Sequence, residues 1–235
     1  MTSKRVAIVQ SNYIPWKGYF DLINMVDEFI LFEDAQYTRN DWRNRNRIKS
    51  ANGPIWLTIP VQISGRFGQR IRDAQVSNSM WATKHWKSIL ASYSRAPHFH
   101  LYRNTFETLY VQMSEETYLS EINEGFIRAI CRMLNIQTRI SRTSNYELLN
   151  GKTERLISLC QQAGATAYIS GPAAQVYLDE PQFAAAGIAL SYMNYDDYPT
   201  YNQLYPPFEQ SVSVIDLLFN QGPEAGKYMK TFTPQ

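Results

Sequence analysis

Two runs near the start of the chain, Val6-Ala7-Ile8-Val9 and Phe29-Ile30-Leu31-Phe32, are continuously apolar. Runs of this length without polar alternation predict strands buried on both faces, as in a parallel sheet. Between them Trp16, Tyr19, Phe20, Leu22, Ile23 and Val26 recur at helical spacing, so the chain opens as β-α-β. Residues 35–50 are polar and follow neither period. A β-hairpin is predicted next, with Arg47-Ile48-Lys49 entering, Asn52-Gly53 turning and residues 55–61 leaving. Residues 81–93, 104–113 and 118–134 read as three helices, with Ala96-Pro97 marking the first break. Alternation then resumes: a strand at 137–141, a helix at 153–163 closed by Gly164, and a strand from 167 into the Gly171-Pro172 turn. A short helix at 181–186, a strand at 188–193 and a final helix from Val212 to Phe219 complete the pattern. The fold class expected is α/β, a mainly parallel sheet with flanking helices, plus a hairpin and helical insertion at about 47–135 within a single domain spanning 1–235.

Composition supports that picture and narrows it. With 235 residues, 44% of them hydrophobic, and two cysteines, the chain is neither a disordered tail nor a disulfide-stapled module. Cys131 and Cys160 both fall within amphipathic helical patterns, where a small apolar side chain packs well. Nowhere are 18 consecutive residues apolar, so a cytoplasmic protein without membrane insertion is expected.

The net charge of +2 conceals an asymmetry. Residues 38–103 hold twelve basic and two acidic side chains, or +10, which leaves 11 basic against 19 acidic elsewhere, or −8. Such a field favours an anionic partner, a phosphate or nucleotide in the first instance.

Several clusters can carry chemistry. The turn after the first strand, Gln10-Ser11-Asn12-Tyr13-Ile14-Pro15, leads into a helix with Gly18 one turn in. In an open parallel sheet ligands bind beyond the carboxyl ends of strands, and a helix start there offers unpaired N–H groups to an anion. The dinucleotide and P-loop glycine patterns are absent from this turn. Asp34, at the end of the second strand, falls at the same sheet edge as Asn12, and Gln36 follows. In Trp42-Arg43-Asn44-Arg45-Asn46-Arg47 the three arginines share one face if the segment is extended, and their guanidinium forks suit phosphate or carboxylate. Asn44 and Asn46 then share the other face, with amides able to donate and accept. A charged surface hairpin is the competing reading.

His85, His98 and His100 lie within 16 residues of one another. The His-x-His pair places both rings on one side of an extended segment, which suits a metal, but ordinary hydrogen-bonded histidines are the favoured reading and no metal is assigned. His85 is the best single base among them. Ser170-Gly171 lies at another strand end and completes the expected cleft, with Ser170 positioning rather than attacking, since the Gly-x-Ser-x-Gly elbow is missing. Tyr192, Tyr195, Tyr198, Tyr201 and Tyr205 suit stacking on a sugar or base as well as core packing.

The strings from Gln10 to Phe20, Asp34-Ala35-Gln36-Tyr37, Trp42-Arg43-Asn44-Arg45-Asn46, Trp56-Leu57-Thr58-Ile59-Pro60-Val61, His85 with Tyr93 and Ala96-Pro97, Tyr168-Ile169-Ser170-Gly171-Pro172 with Tyr177-Leu178-Asp179, and Ser213 to Asn220 stand in one order. Together they resemble the bacterial WbqC-like protein family from about residue 5 to residue 222. The resemblance implies a place in O-antigen, capsule or other surface-polysaccharide synthesis, and a transferase that attaches an acyl or aminoacyl group to a nucleotide-linked amino sugar. It carries over no settled catalytic residues and leaves the cofactor unassigned. The family's polar motif positions here are Gln10, Asn12, Asp34, Gln36, Arg43, Asn44, Arg45, Asn46, His85 and Ser170. The expected partner is a nucleotide sugar or sugar phosphate held by Arg43, Arg45 and Arg47, with Asp34 or His85 taking a proton and the basic loop 65–72 closing over the anion. Gln10, Asn12, Tyr13, Gly18, Gln36, Trp42, Asn44, Asn46, Ser170 and Gly171 complete the expected substrate site. The alternative is a non-catalytic protein that binds a pathway intermediate or partner enzyme, and nucleic-acid binding ranks below both.

Overall fold

The apolar runs become the inner strands of a five-stranded, wholly parallel sheet in a computed structural model that describes residues 3–232. β1 (Arg5–Val9) pairs with β2 (Glu28–Leu31), and β2 pairs with β5 (Arg139–Arg142). On the other side β1 pairs with β6 (Ala167–Ser170), which pairs with β7 (Ala189–Tyr192). The spatial order β5-β2-β1-β6-β7 reverses direction between β1 and β6. A separate antiparallel hairpin joins β3 (Arg45–Ser50) to β4 (Gly53–Thr58). The expected α/β class, with its parallel sheet, flanking helices and separate hairpin, is the one observed.

Strand alternation divides the core into two layers. Ala7, Phe29 and Leu31 face one side, where α1 (Lys17–Asn24), α4 (Leu119–Met133) and α7 (Val214–Gln221) bury their apolar faces. Val6, Ile8 and Ile30 face the other, against α5 (Thr153–Gln162) and α6 (Glu180–Ala185). The cysteine thiols sit one in each layer, and burial pushes each up to about 12, which makes them inert packing groups.

Two boundaries differ from the sequence expectation for identifiable reasons. The hairpin turns at Ala51-Asn52, because Ser50 pairs directly with Gly53, whose φ of +98° a side chain would strain. α2 (Met80–Tyr93) ends near its expected place, but α3 (Phe99–Ser114) begins five residues earlier than the periodicity suggested. His98 therefore stands at a helix start and His100 in its first turn, so the two rings do not share one side of an extended strand.

α1 carries a steric demand that reaches the site. A Cβ on Gly18 would lie 2.3 Å from the Trp16 indole, which packs against Tyr195 and Tyr198 at centroid distances of 5.1 and 5.4 Å. Gly18→Ala is expected to cost about 1–3 kcal/mol in chemical denaturation, because the indole has to leave its aromatic nest. Coupled to Trp16→Ala, the same change should cost almost nothing further. An undiminished stability for the single variant would contradict the account.

Candidate functional site

The carboxyl ends of β1 and β6, where the strand order reverses, bound a crevice of about 680 Å³. Open α/β sheets place their ligands at this point, since the two adjoining loops diverge to opposite faces and leave a gap. Gln10 follows β1, Phe32 follows β2, and Ser170 and Gly171 follow β6 on its walls. Arg43, Lys152 and Arg155 supply three cationic side chains to the lining, and among the described residues no carboxylate joins them. The volume lies within the roughly 300–1,000 Å³ typical of small-molecule pockets.

Local chemistry explains why the cations collect there. Gly151 adopts φ +94°, and a Cβ there would strike the Glu154 carboxylate at 2.2 Å, so the chain enters α5 through a glycine. Lys152 and Thr153 follow at the start of α5, whose unpaired N–H groups favour negative charge. Gly151-Lys152-Thr153 has the ending of a phosphate-binding P-loop after a parallel strand, but Tyr146 occupies the place of its first glycine. That triplet was the sequence signal for Lys152, and Arg155 follows one helical turn along. Arg155 donates from Nε to the Leu149 carbonyl at 2.7 Å, which leaves its terminal nitrogens for a ligand.

Arg43 reaches this crevice because the arginine run is not extended throughout. The Asp41 carbonyl accepts from both Asn44 and Arg45 N–H, so a turn precedes β3 and separates Arg43 from its neighbours. Arg43 donates to Asn12 Oδ1 at 3.0 Å and pairs with Asp41 at 3.1 Å. Asn12 in turn lines a second cavity of about 240 Å³ with Pro15, Trp16, Trp42, Asn46 and Ser211. The Arg43–Asn12 hydrogen bond thus links the walls of the two cavities. Trp42 also borders a third, open groove of about 400 Å³ with Arg45, Arg47 and Trp56.

Other expected site residues lie elsewhere. Asn44 is buried and donates to the Ile59 carbonyl, while Asn46 is buried and donates to the carbonyls of Tyr13 and Ile14. Asn44 thus ties the turn to the residue after β4 and Asn46 ties β3 to the loop after β1, and of the two only Asn46 borders a described cavity. Tyr13 is fully buried, 2.7 Å from the Tyr110 hydroxyl and 2.9 Å from His85 Nδ1. The other His85 nitrogen contacts the Thr58 carbonyl at 3.2 Å. A carbonyl only accepts, so the neutral ring carries its proton on Nε2 and receives the Tyr13 hydroxyl at Nδ1. Burial pushes His85 down to about 4, and it does not line the crevice. Gly18 is buried within α1.

Asp34 belongs to a cavity of about 330 Å³ beyond β2, shared with Glu33, Arg72, Arg142 and Thr143. It accepts from Thr143 Oγ1 at 2.8 Å and pairs with Arg72 at 2.8 Å and Arg70 at 3.6 Å. The 65–72 loop is held there by Ile71, which is fully buried, and by the backbone bonds of Ile71 and Arg72 to Ala35 and Glu33. Its arginines therefore neutralise Asp34 and Asp73, and Gln36 bridges to Arg70 on the exposed side. The +10 segment is answered in part by acids from outside it, and two of the three crevice cations come from outside it too. Of the two carboxylates that follow β2, sequence reasoning chose Asp34 over Glu33, whose carboxyl accepts from Ser11 N–H at 3.2 Å while Oε2 is buried without a partner among the described residues. Burial pushes Glu33 up to about 7, with Glu124 adding to the effect and Arg142 opposing it.

The tyrosines of the 192–205 segment mostly pack inward. Tyr195 and Tyr198 meet Trp16, and Tyr201 donates to the buried Asp216. No helix among the described residues is long and apolar enough to cross a membrane. Among the same residues no group of three or more His, Cys, Asp or Glu is arranged to hold a metal ion.

A sequence model of the WbqC-like protein family matches residues 10–228. The chain belongs to that family. This WbqC-like protein is also 50% identical over 227 residues to "Uncharacterized protein Rv1507c" of Mycobacterium tuberculosis, a similarity covering 97% of this chain and 98% of that one. No solved structure matches it. The family match takes in Gln10, Arg43, Lys152, Arg155 and Ser170, so these polar and cationic residues of the crevice all lie within the matched region.

Proposed function

We propose that this WbqC-like protein is a cytoplasmic transferase of surface-polysaccharide synthesis that binds a nucleotide-linked amino sugar at the strand-order reversal. The supporting observation is the crevice with three cationic side chains and no lining carboxylate among the described residues. Lys152, Arg155 and the start of α5 hold the diphosphate, with Arg43 closing the opposite wall. Gln10 and Ser170 orient hydroxyl and amide groups, and Arg43 together with Asn12 sets the sugar at the entrance of the 240 Å³ cavity. Transfer joins the sugar's amine nitrogen to the acyl carbon of an activated donor, releasing the donor's leaving group and a proton. The protein's contribution is to align the two reactants.

Asp34 and His85 do not line this crevice, and that favours one second reading, a protein that holds the sugar nucleotide without converting it. Calorimetry with UDP and UDP-linked amino sugars, followed by turnover assays with acyl and aminoacyl donors, separates the two. Binding is expected to weaken with salt, and Lys152→Ala to weaken it roughly tenfold. Tight binding without turnover selects the second reading. Failure of every nucleotide probe to bind sinks both.

A further inference from the structure

The arginines that do not enter the crevice mark a second site. Arg47 stands directly across the hairpin from Trp56, and Arg45 lies two residues earlier on the same strand face. The Arg45 guanidinium sits 4.1 Å from the Trp56 ring centroid, and that of Arg47 at 5.6 Å. Trp42, carried back by the turn before β3, meets Trp56 at 5.6 Å between centroids and 39° between planes. Both indoles remain 42–44% exposed, although burying either ring in the core would be favourable.

The charges here are largely unmatched. Asp41 also lines the groove, but it pairs with Arg43 at 3.1 Å; Arg45 forms no ion pair among the described residues, and the nearest carboxylate to Arg47 is Glu209 at 3.9 Å. The Nε atoms of both arginines are enclosed and lack hydrogen-bond partners among the described residues. Those enclosed atoms cannot reach a ligand, so recognition falls to the terminal guanidinium nitrogens, which beside an exposed aromatic surface suit a ring that carries an anionic group. The indoles meet at 39° and the Arg45 guanidinium lies over one face of Trp56, so the aromatic surface is a bent shelf, not a parallel slot for a flat base, and it suits the puckered C–H face of a pyranose. Trp42 borders both this groove and the 240 Å³ cavity, so the shelf and that cavity share a wall.

We propose that the Trp42–Trp56 shelf, with Arg45 and Arg47, binds an acidic sugar unit, a pyranose bearing a carboxylate, as part of a second ligand of this protein. The proposal extends the transferase reading, in which two reactants must meet near Asn12. The shelf itself stands on its own geometry.

The test is calorimetry of the full chain with tetragalacturonate, its methyl ester and an oligothymidylate. Tetragalacturonate should bind, and the uncharged ester should bind at least about tenfold more weakly. Trp42→Ala and Arg45→Gln should each weaken tetragalacturonate roughly tenfold, while Trp42→Phe keeps most of the affinity and thermal melts show the variants folded. UDP affinity should be unmoved by Arg45→Gln, and tetragalacturonate affinity unmoved by Lys152→Ala. Absence of tetragalacturonate binding, insensitivity to both shelf variants, or tighter binding of oligothymidylate through the same residues would overturn the proposal. If acidic sugar binds but UDP does not, the shelf stands and the nucleotide-sugar reading falls. If UDP binds but acidic sugar does not, the nucleotide-sugar reading stands and the shelf falls.

Discussion

Asp216→Ala is expected to destabilise the protein by about 3–5 kcal/mol, measured by chemical denaturation. Asp216 is buried in α7 and accepts three hydrogen bonds: from Tyr93 at 2.9 Å, Tyr201 at 2.8 Å and Gln203 at 2.9 Å. Burial raises its carboxyl above the ordinary range, while those three donors and the nearby Lys49 work in the opposite direction. Removing the acceptor strands the buried Tyr93 hydroxyl and takes a partner from the half-buried Tyr201 and Gln203, and an unmet buried donor costs about 1–3 kcal/mol. Asp216→Asn retains one acceptor oxygen, so it should cost clearly less. The damage should extend to ligand binding. Gln203 also exchanges hydrogen bonds with the Glu209 backbone, and Ser211 just beyond lines the 240 Å³ cavity. If the alanine variant were as stable as the parent, the network would not be what ties this segment to α7.

The sheet was legible from the sequence because its inner strands β1 and β2 are buried on both faces, and Val6 to Val9 and Phe29 to Phe32 leave no other period to read. Helical boundaries were less so. Phe99, Tyr102, Phe106, Leu109 and Tyr110 all point into the core, but the polar residues between them and the preceding Ala96-Pro97 hid where α3 begins. For the candidate site, strand-end logic pointed to positions beyond β1 and β6, and Gln10, Asn12, Arg43, Ser170 and Gly171 line two cavities linked by the Arg43–Asn12 hydrogen bond.

Pattern reasoning fails where a residue's role depends on a turn. An alternating Arg-Asn run reads as a strand with two faces, but the carbonyl of Asp41 captures two N–H groups and rotates Arg43 away from Arg45 and Arg47. The buried amides of Asn44 and Asn46 then satisfy backbone carbonyls of Ile59, just after β4, and of Tyr13 and Ile14 in the loop after β1. Lys152 and Arg155 escaped the sequence reading because the +10 segment outweighs, in any count of charge, a Gly-Lys-Thr helix start in the acidic remainder. Local charge density identifies a basic surface, whereas a phosphate site needs only a few cations at the right strand ends.

Glu33 and His85 should give the stability of the protein opposed pH dependences that partly conceal each other. Glu33 rises from 4.5 to about 7 on folding, chiefly through burial, so the folded state holds its proton more tightly than the unfolded chain. Its contribution is therefore fully present below pH 4.5 and is lost as the pH rises to about 7. His85 falls from 6.5 to about 4, again through burial, so its contribution is present above pH 6.5 and is lost as the pH falls towards 4. Between pH 4.5 and 6.5 the two slopes have opposite signs and offset one another. Glu33→Gln removes one of them. Its amide leaves a donor where Oε2 now lacks a partner, which shifts stability by a pH-independent amount. The informative quantity is the difference between variant and parent, which should move in the variant's favour by about 3 kcal/mol between pH 4.5 and 7 and then level off. Urea titrations at half-unit intervals measure it directly. A pH-independent difference would mean that Glu33 ionises in the folded state as it does in the unfolded chain, and that its burial beside Ser11 and Glu124 is offset by Arg142.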